Sequence, residues 1–224
     1  MKTKYTFSFT VIWIIGFQFC ACFNSYSQDT IYLTNPSFED SPRRGDIDNP
    51  SIKGWRDCGL ANFPKESPPD IHPVPYKAWG VSMIPKDGKT FLGLVVRQNF
   101  SYESVSQQLK NPLSGGRCYT FSTHLARSGD YKSSVVGSKD LYNFTQPAIL
   151  NIWGCNLICE KTELLAHSIP IENYEWKNFE FVLSPKQDCP YILIECYFAE
   201  NGLGPYNGHI MVDDLSPIIE IDCK

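Results

Sequence analysis

Apolar and polar residues alternate in five short runs: CYTFSTHLA (118–126), PAILNIWG (147–154), WKNFEFVL (176–183), YILIECYF (191–198) and HIMVDDLS (209–216). Successive side chains of a strand point to opposite faces. A period of two in β-branched and aromatic residues, bounded by Gly, Pro or Asn, therefore predicts half-buried strands. No stretch longer than a couple of turns keeps the three- and four-residue apolar spacing of a buried helix face. Many short strands between turn residues predict an all-β sandwich of the jelly-roll type with long loops.

The alternation also sorts side chains. In 118–126, Tyr119, Phe121 and Leu125 suit the core, which sends Thr120, Ser122 and His124 to the opposite face. Leu150 and Ile152 point inward and leave Asn151 and Trp153 outside. Ile192, Ile194, Cys196 and Phe198 point one way, Glu195 and Tyr197 the other. If these strands are neighbours, one sheet face carries His124, Asn151, Trp153, Glu195 and Tyr197.

Eight of the sixteen prolines fall between Pro42 and Pro85, with Trp55, Cys58 and Trp79, so this part is expected to form an elaborated loop layer. A second loop is expected from Ser128 to Gln146. Long ordered loops on a rigid sheet either bind ligands or cover a sheet, and both readings are kept.

Composition places this sandwich in an export route. Two lysines, an apolar run from Val11 to Phe23 and the small-residue pattern Ser25-Tyr26-Ser27 form a secretory signal peptide over residues 1–27, cut after Ser27. A lipid anchor at Cys22 is the alternative, although Phe19, Cys20 and Ala21 fit that signal poorly. The remaining residues, 28–224, suit one large β-domain. No later segment is apolar enough to span a bilayer as a helix. A formal net charge of -4, with no basic stretch beyond Arg43-Arg44, disfavours a nucleic-acid partner.

Seven of the nine cysteines lie beyond the cut, and an oxidising compartment favours pairing. An odd count leaves at least one thiol free. Zinc at Cys155 and Cys159 is the weaker reading, because no matching second pair or histidine set accompanies them.

The segments NPSFED (35–40), GW (54–55), SVSQQLKNPLSGGRCYTFSTHLAR (104–127) and GHIMVDDLS (208–216) together resemble the galactose-binding-like jelly rolls that serve as carbohydrate-binding modules of secreted bacterial polysaccharide-degrading enzymes. GWRDCG, PPDI, DGKTFLGLVVR and PAILNIWG are similar to a set of exported or surface proteins of gliding, polymer-degrading bacteria with no settled ligand. In the carbohydrate-binding jelly rolls, a first-strand glutamate and a last-strand aspartate hold a structural calcium ion. The resemblance carries those roles to Glu39 and Asp213. Hard oxygen ligands suit Ca²⁺, and the ion would relieve two carboxylates placed side by side. The alternative is a solvated strand end.

Sugar recognition needs flat aromatic faces and planar polar groups. Candidates are Trp153, Tyr197, Asn151, Glu195 and His124 on the sheet face, or Trp55, Trp79, Tyr76, Arg97 and Tyr131 in the loops. No Gly-x-Ser-x-Gly elbow, phosphate loop or His-Glu-x-x-His motif occurs, so catalysis is not expected. Glu103, Glu195 and Glu200 are the carboxylates from which a glycosidase pair would have to come. Two functions follow: a secreted or outer-surface binder of a glycan or cell-surface polysaccharide, or a structural or adhesive surface protein that binds another protein.

Overall fold

The structure, a computed structural model, describes residues 1, 29–45, 51–59, 68–133, 140–199 and 204–223. The expected signal peptide, its cut after Ser27 and the alternative anchor at Cys22 lie outside the described residues.

Fifteen strands form among the described residues, with one short 3₁₀ turn at Pro75–Gly80. They are β1 (Thr30–Ile31), β2 (Ser51–Ile52), β3 (Trp55–Asp57), β4 (Asp70–His72), β5 (Phe91–Val96), β6 (Ser104–Leu113), β7 (Cys118–Ala126), β8 (Lys132–Ser133), β9 (Tyr142–Asn143), β10 (Gln146–Cys155), β11 (Glu163–His167), β12 (Lys177–Leu183), β13 (Cys189–Phe198), β14 (Gly208–Asp213) and β15 (Ile218–Ile221).

Two antiparallel layers make a β-sandwich jelly roll. The first sheet runs β4-β5-β14-β7-β12, with β15 following β14 along the same edge of β7 and β1 beside β15. The second runs β2-β3-β6-β13-β10-β11. A short parallel pairing of Gln146 with Gly208 and Pro147 with His209 stitches the layers where β10 meets β14. The alternating residues fill the space between the sheets: Tyr119, Phe121 and Leu125 from one, Leu150, Ile152, Ile192, Ile194 and Cys196 from the other.

The run expected at 209–216 ends sooner. Asp214 adopts a left-handed backbone (φ 52°) and Pro217 follows, so pairing breaks at Asp213 and resumes at Ile218. The expected two-residue period also passes over β5. All six of its residues are buried, because its outer side is roofed by loops, and a strand covered on both faces has no reason to alternate.

Two disulfides fix the loops. Cys58–Cys159 ties the loop between β10 and β11 to the end of β3, and Cys118–Cys223 ties the C-terminal segment to β7. Cys155, Cys189 and Cys196 are free and buried. Burial pushes the Cys155 thiol up to about 12 and the Cys189 thiol up to about 11. Cys159 is therefore half of a disulfide with Cys58, which removes the paired-zinc reading of Cys155 and Cys159.

Candidate functional site

The outward side of the second sheet is built by register. Antiparallel pairing sets Asn151 opposite Glu195 and Trp153 opposite Leu193, with Ser104 and Ser106 of β6 next across. Asn151, Trp153, Glu195 and Tyr197 thus share one face, as alternation alone implies. The Glu195 carboxylate is the centre. It accepts hydrogen bonds from Asn151 Nδ2 at 3.1 Å and Trp153 Nε1 at 2.9 Å, both on Oε2, and Lys161 Nζ pairs with Oε1.

Although it points away from the main core, Glu195 has 0% exposure. Lys161 covers it, reaching across from the loop between β10 and β11 and donating also to the Tyr102 hydroxyl at 2.8 Å. Its ammonium lies 4.2 Å from the Tyr102 ring centroid and 5.5 Å from that of Trp153. Burial would lower the Lys161 ammonium, but the charge of Glu195 and the hydrogen bonds to Glu195 and the Tyr102 hydroxyl hold it above its ordinary pKa. Tyr197, 39% exposed, meets Tyr102 edge to face at 5.5 Å. The result is an aromatic and polar surface of Tyr102, Trp153, Tyr197 and Lys161 over the buried Asn151 and Glu195.

Tyr102 and Lys161 were not singled out by sequence. Tyr102 precedes a strand and Lys161 sits in a loop, so no period marks either. The available signal was indirect: an outward-facing Glu195 beside apolar residues demands a cation, without saying which one.

Several expected site residues lie elsewhere. His124 belongs to β7, in the first sheet, so it sits across the sandwich from Glu195; its Nδ1 approaches Asp214 Oδ2 at 3.1 Å. The shared face proposed for these residues fails at His124 because β7 pairs with β12, β14 and β15, not with β10 or β13. Arg97 is buried in an ion pair with Glu103 rather than presented to solvent. Burial pushes the Glu103 carboxyl up to about 8, although Arg97 pulls the other way. Trp79 stacks on Tyr131 at 6.4 Å with the Arg44 guanidinium 5.6 Å above its ring. Trp55 is a core residue whose Nε1 donates to the Asn35 carbonyl at 3.1 Å.

Of the two readings kept for the segment 128–146, its described residues take the second: 128–133 and 140–146 cover the first sheet. Tyr131 and Phe144 pack with Phe91, Val95 and Met211, and Trp79 and Trp176 close the edges of this layer. Beneath it, Tyr131 donates to Asp70 Oδ2 at 2.5 Å and stacks on His209 at 4.9 Å. His209 joins both ends of the loop: Nδ1 donates to the Phe144 carbonyl at 2.5 Å, and Nε2 accepts from the Ser128 amide at 2.7 Å. His72 is fully buried, stacked on Phe91, with neither ring nitrogen hydrogen-bonded. Burial lowers His72 to about 3 and His209 to about 4. Gly93 makes room for this histidine, since a Cβ there would lie 2.8 Å from the His72 ring.

Glu39 and Asp213 grip one loop from opposite ends. Asp213 Oδ2 accepts from the amides of Lys86 at 2.8 Å and Asp87 at 3.0 Å, while Glu39 Oε1 accepts from those of Lys89 at 2.8 Å and Thr90 at 3.0 Å. Gly88 lets the loop close on Glu39, with a φ of 62° and a Cβ position 2.3 Å from Oε1. Asp213 is fully buried, and burial raises its carboxyl to about 7 against three amide hydrogen bonds. No group of three or more His, Cys, Asp or Glu side chains converges as a metal site among the described residues. Asp213 Oδ1 also accepts from the Asp214 amide at 2.8 Å, so both of its oxygens receive amide hydrogen bonds; the two carboxylates are hard oxygen donors, the ligand type that calcium takes.

No family model and no curated protein matches the chain. Solved structures do. A Stig cyclase, Fisc from Fischerella sp. TAU, is 13% identical with a TM-score of 0.50, the alignment covering 88% of this chain and 100% of that one. The xylan-degrading Xyn10B of Clostridium thermocellum, crystallised as CBM22-1-GH10 modules with xylohexaose, is 16% identical (TM-score 0.46) over 88% of this chain and 29% of that one. The K2 cleaved adhesin domain of Lys-gingipain is 9% identical (TM-score 0.46) over 88% and 99%. At such identities the likeness is one of fold.

Proposed function

We propose that this is a non-catalytic, exported carbohydrate-binding protein whose glycan face is the outer side of the second sheet. One observation carries the reading: Tyr102, Trp153 and Tyr197 gather around hydrogen-bonding groups on the face that the described loop residues leave partly open. Pyranose C–H faces stack on aromatic rings, and amide and hydroxyl groups pair with sugar hydroxyls. The neighbours bearing carbohydrate-binding and adhesin modules share this architecture. The disulfides suit an extracellular setting, and no helix among the described residues is long and apolar enough to cross a membrane.

The carboxylates support a binding rather than a hydrolytic role. Glu103 and Glu195, needed for a glycosidase pair, are both buried in ion pairs, with Arg97 and Lys161. Glu200 lies outside the described residues. Calcium held by Glu39 and Asp213 would act structurally, compensating the buried charge of Asp213 and pinning the 86–90 turn.

A second reading, an adhesive protein with a protein partner, is favoured by Leu157 and Ile158. These are 63% and 46% exposed on the loop that Cys58–Cys159 anchors beside the same face. A glycan-array screen of residues 28–224, with and without chelator, separates the two. Binding is expected to vanish in Trp153→Ala and to survive in Trp79→Ala. If no glycan is retained, the protein-partner reading replaces this one.

A further inference from the structure

Glu195 makes an unusual floor for a sheet face. A carboxylate with 0% exposure is held in place by two neutral donors, Asn151 and Trp153, and neutralised by an ammonium that belongs to no strand. Around that ammonium stand the Tyr102 ring at 4.2 Å, the Trp153 ring at 5.5 Å and the Tyr102 hydroxyl at 2.8 Å. An anion below and aromatic faces beside is the arrangement that recognises alkylammonium groups in general. Here Lys161 fills it, and its side chain retains 22% exposure toward solvent.

We propose that this box recognises a primary ammonium group of the ligand, that Lys161 occupies it in the free protein as an internal stand-in, and that the glycan bound is one carrying unacetylated amino groups. The proposal rests on the glycan-binding reading above and names its substrate class.

Exchange of one ammonium for another keeps Glu195 paired throughout. A neutral or acidic glycan that displaced Lys161 would leave a buried carboxylate uncompensated, which is strongly unfavourable. Lys161, once released, returns to water and regains side-chain freedom. Its departure also uncovers the Trp153 and Tyr102 faces, so one movement exposes both the anion and the stacking surfaces. The net charge of -4 favours the approach of a polycationic chain.

The test is calorimetric titration, at mildly acidic pH, of a β-1,4-linked glucosamine hexamer, its fully N-acetylated counterpart, cellohexaose and a lysine-rich peptide into wild type, Lys161→Ala and Glu195→Gln. Wild type is expected to prefer the free amine. Lys161→Ala, relieved of its internal competitor, should bind the amine oligomer about tenfold more tightly or better. Glu195→Gln should lose the preference. Lys161→Met, which keeps an apolar stem beside Trp153, serves if Lys161→Ala does not fold.

Equal binding of amine and acetylated oligomers by wild type, or no gain in either Lys161 variant, overturns the inference while leaving glycan binding in place. No binding of any oligomer overturns both. Binding of a lysine-rich peptide without binding of the glucosamine oligomer assigns the box to a protein side chain and likewise overturns the glycan assignment.

Discussion

The two outer faces of the sandwich are made from the same kind of strand and end in opposite states. Over the first sheet, the segments 73–84, 128–133 and 140–146 add a third layer, so that Phe91, His72, Met211 and His209 are buried although they point away from the main core. Over the second, cover among the described residues is a short disulfide-anchored loop that contributes Lys161, and Tyr197 stays accessible. The roofed face gains packing and gives up access. The open face keeps its aromatic residues available at the cost of a buried carboxylate that needs a cation.

This contrast predicts unequal responses. The largest is expected for Phe144→Ala, which empties the roof: a loss of about 3–5 kcal/mol in denaturant unfolding, against a smaller loss for Trp153→Ala on the half-open face. A comparable loss for Trp153→Ala would mean that the second face is packed as tightly as the first. Replacing both Cys58 and Cys159 by Ala should lower stability by about 2–4 kcal/mol and loosen the Lys161 loop, seen as faster amide exchange over 156–162.

Acid should act on the roofed face first. His209 and His72 are held at about 4 and about 3, below the ordinary 6.5, so the opened state takes up protons that the closed state refuses. The closed roof therefore loses stability as pH falls below 6.5, by about 2 kcal/mol at pH 5 from His209 alone. Protonation of Nε2 also turns the acceptor of the Ser128 amide into a donor. Glu103 and Asp213 act in the opposite sense, because carboxyls raised to about 8 and about 7 favour the folded state as pH falls through those values. A local readout separates the two: amide exchange at Ser128 should rise at pH 5 relative to pH 7.5 after correction for intrinsic rates, and His209→Gln should flatten that dependence. The smallest effect concerns metal: chelator is expected to lower the melting temperature of wild type modestly and to leave Asp213→Ala unchanged.

Much of this layout is legible in the sequence. Leu150, Ile152, Ile192 and Ile194 alternate with Asn151, Trp153 and Glu195, and the strands and their outward residues follow from that period. His124 alternates just as well, yet it lies across the sandwich, because alternation gives a side chain's face within its own strand and says nothing about which strands are neighbours. The same limit hid β5: a strand roofed on its outer side carries apolar residues at every position, so FLGLVV shows no period.

By itself, the sequence determined an all-β chain, the inward and outward residues of its long strands, and the meeting of Asn151, Trp153, Glu195 and Tyr197 once β10 and β13 pair. These rest on local geometry, which the backbone imposes strand by strand. Only the tertiary structure decided which face the loops roof, that Lys161 and Tyr102 close over Glu195, and which cysteines join, because those contacts link residues far apart in the chain and depend on how whole layers pack.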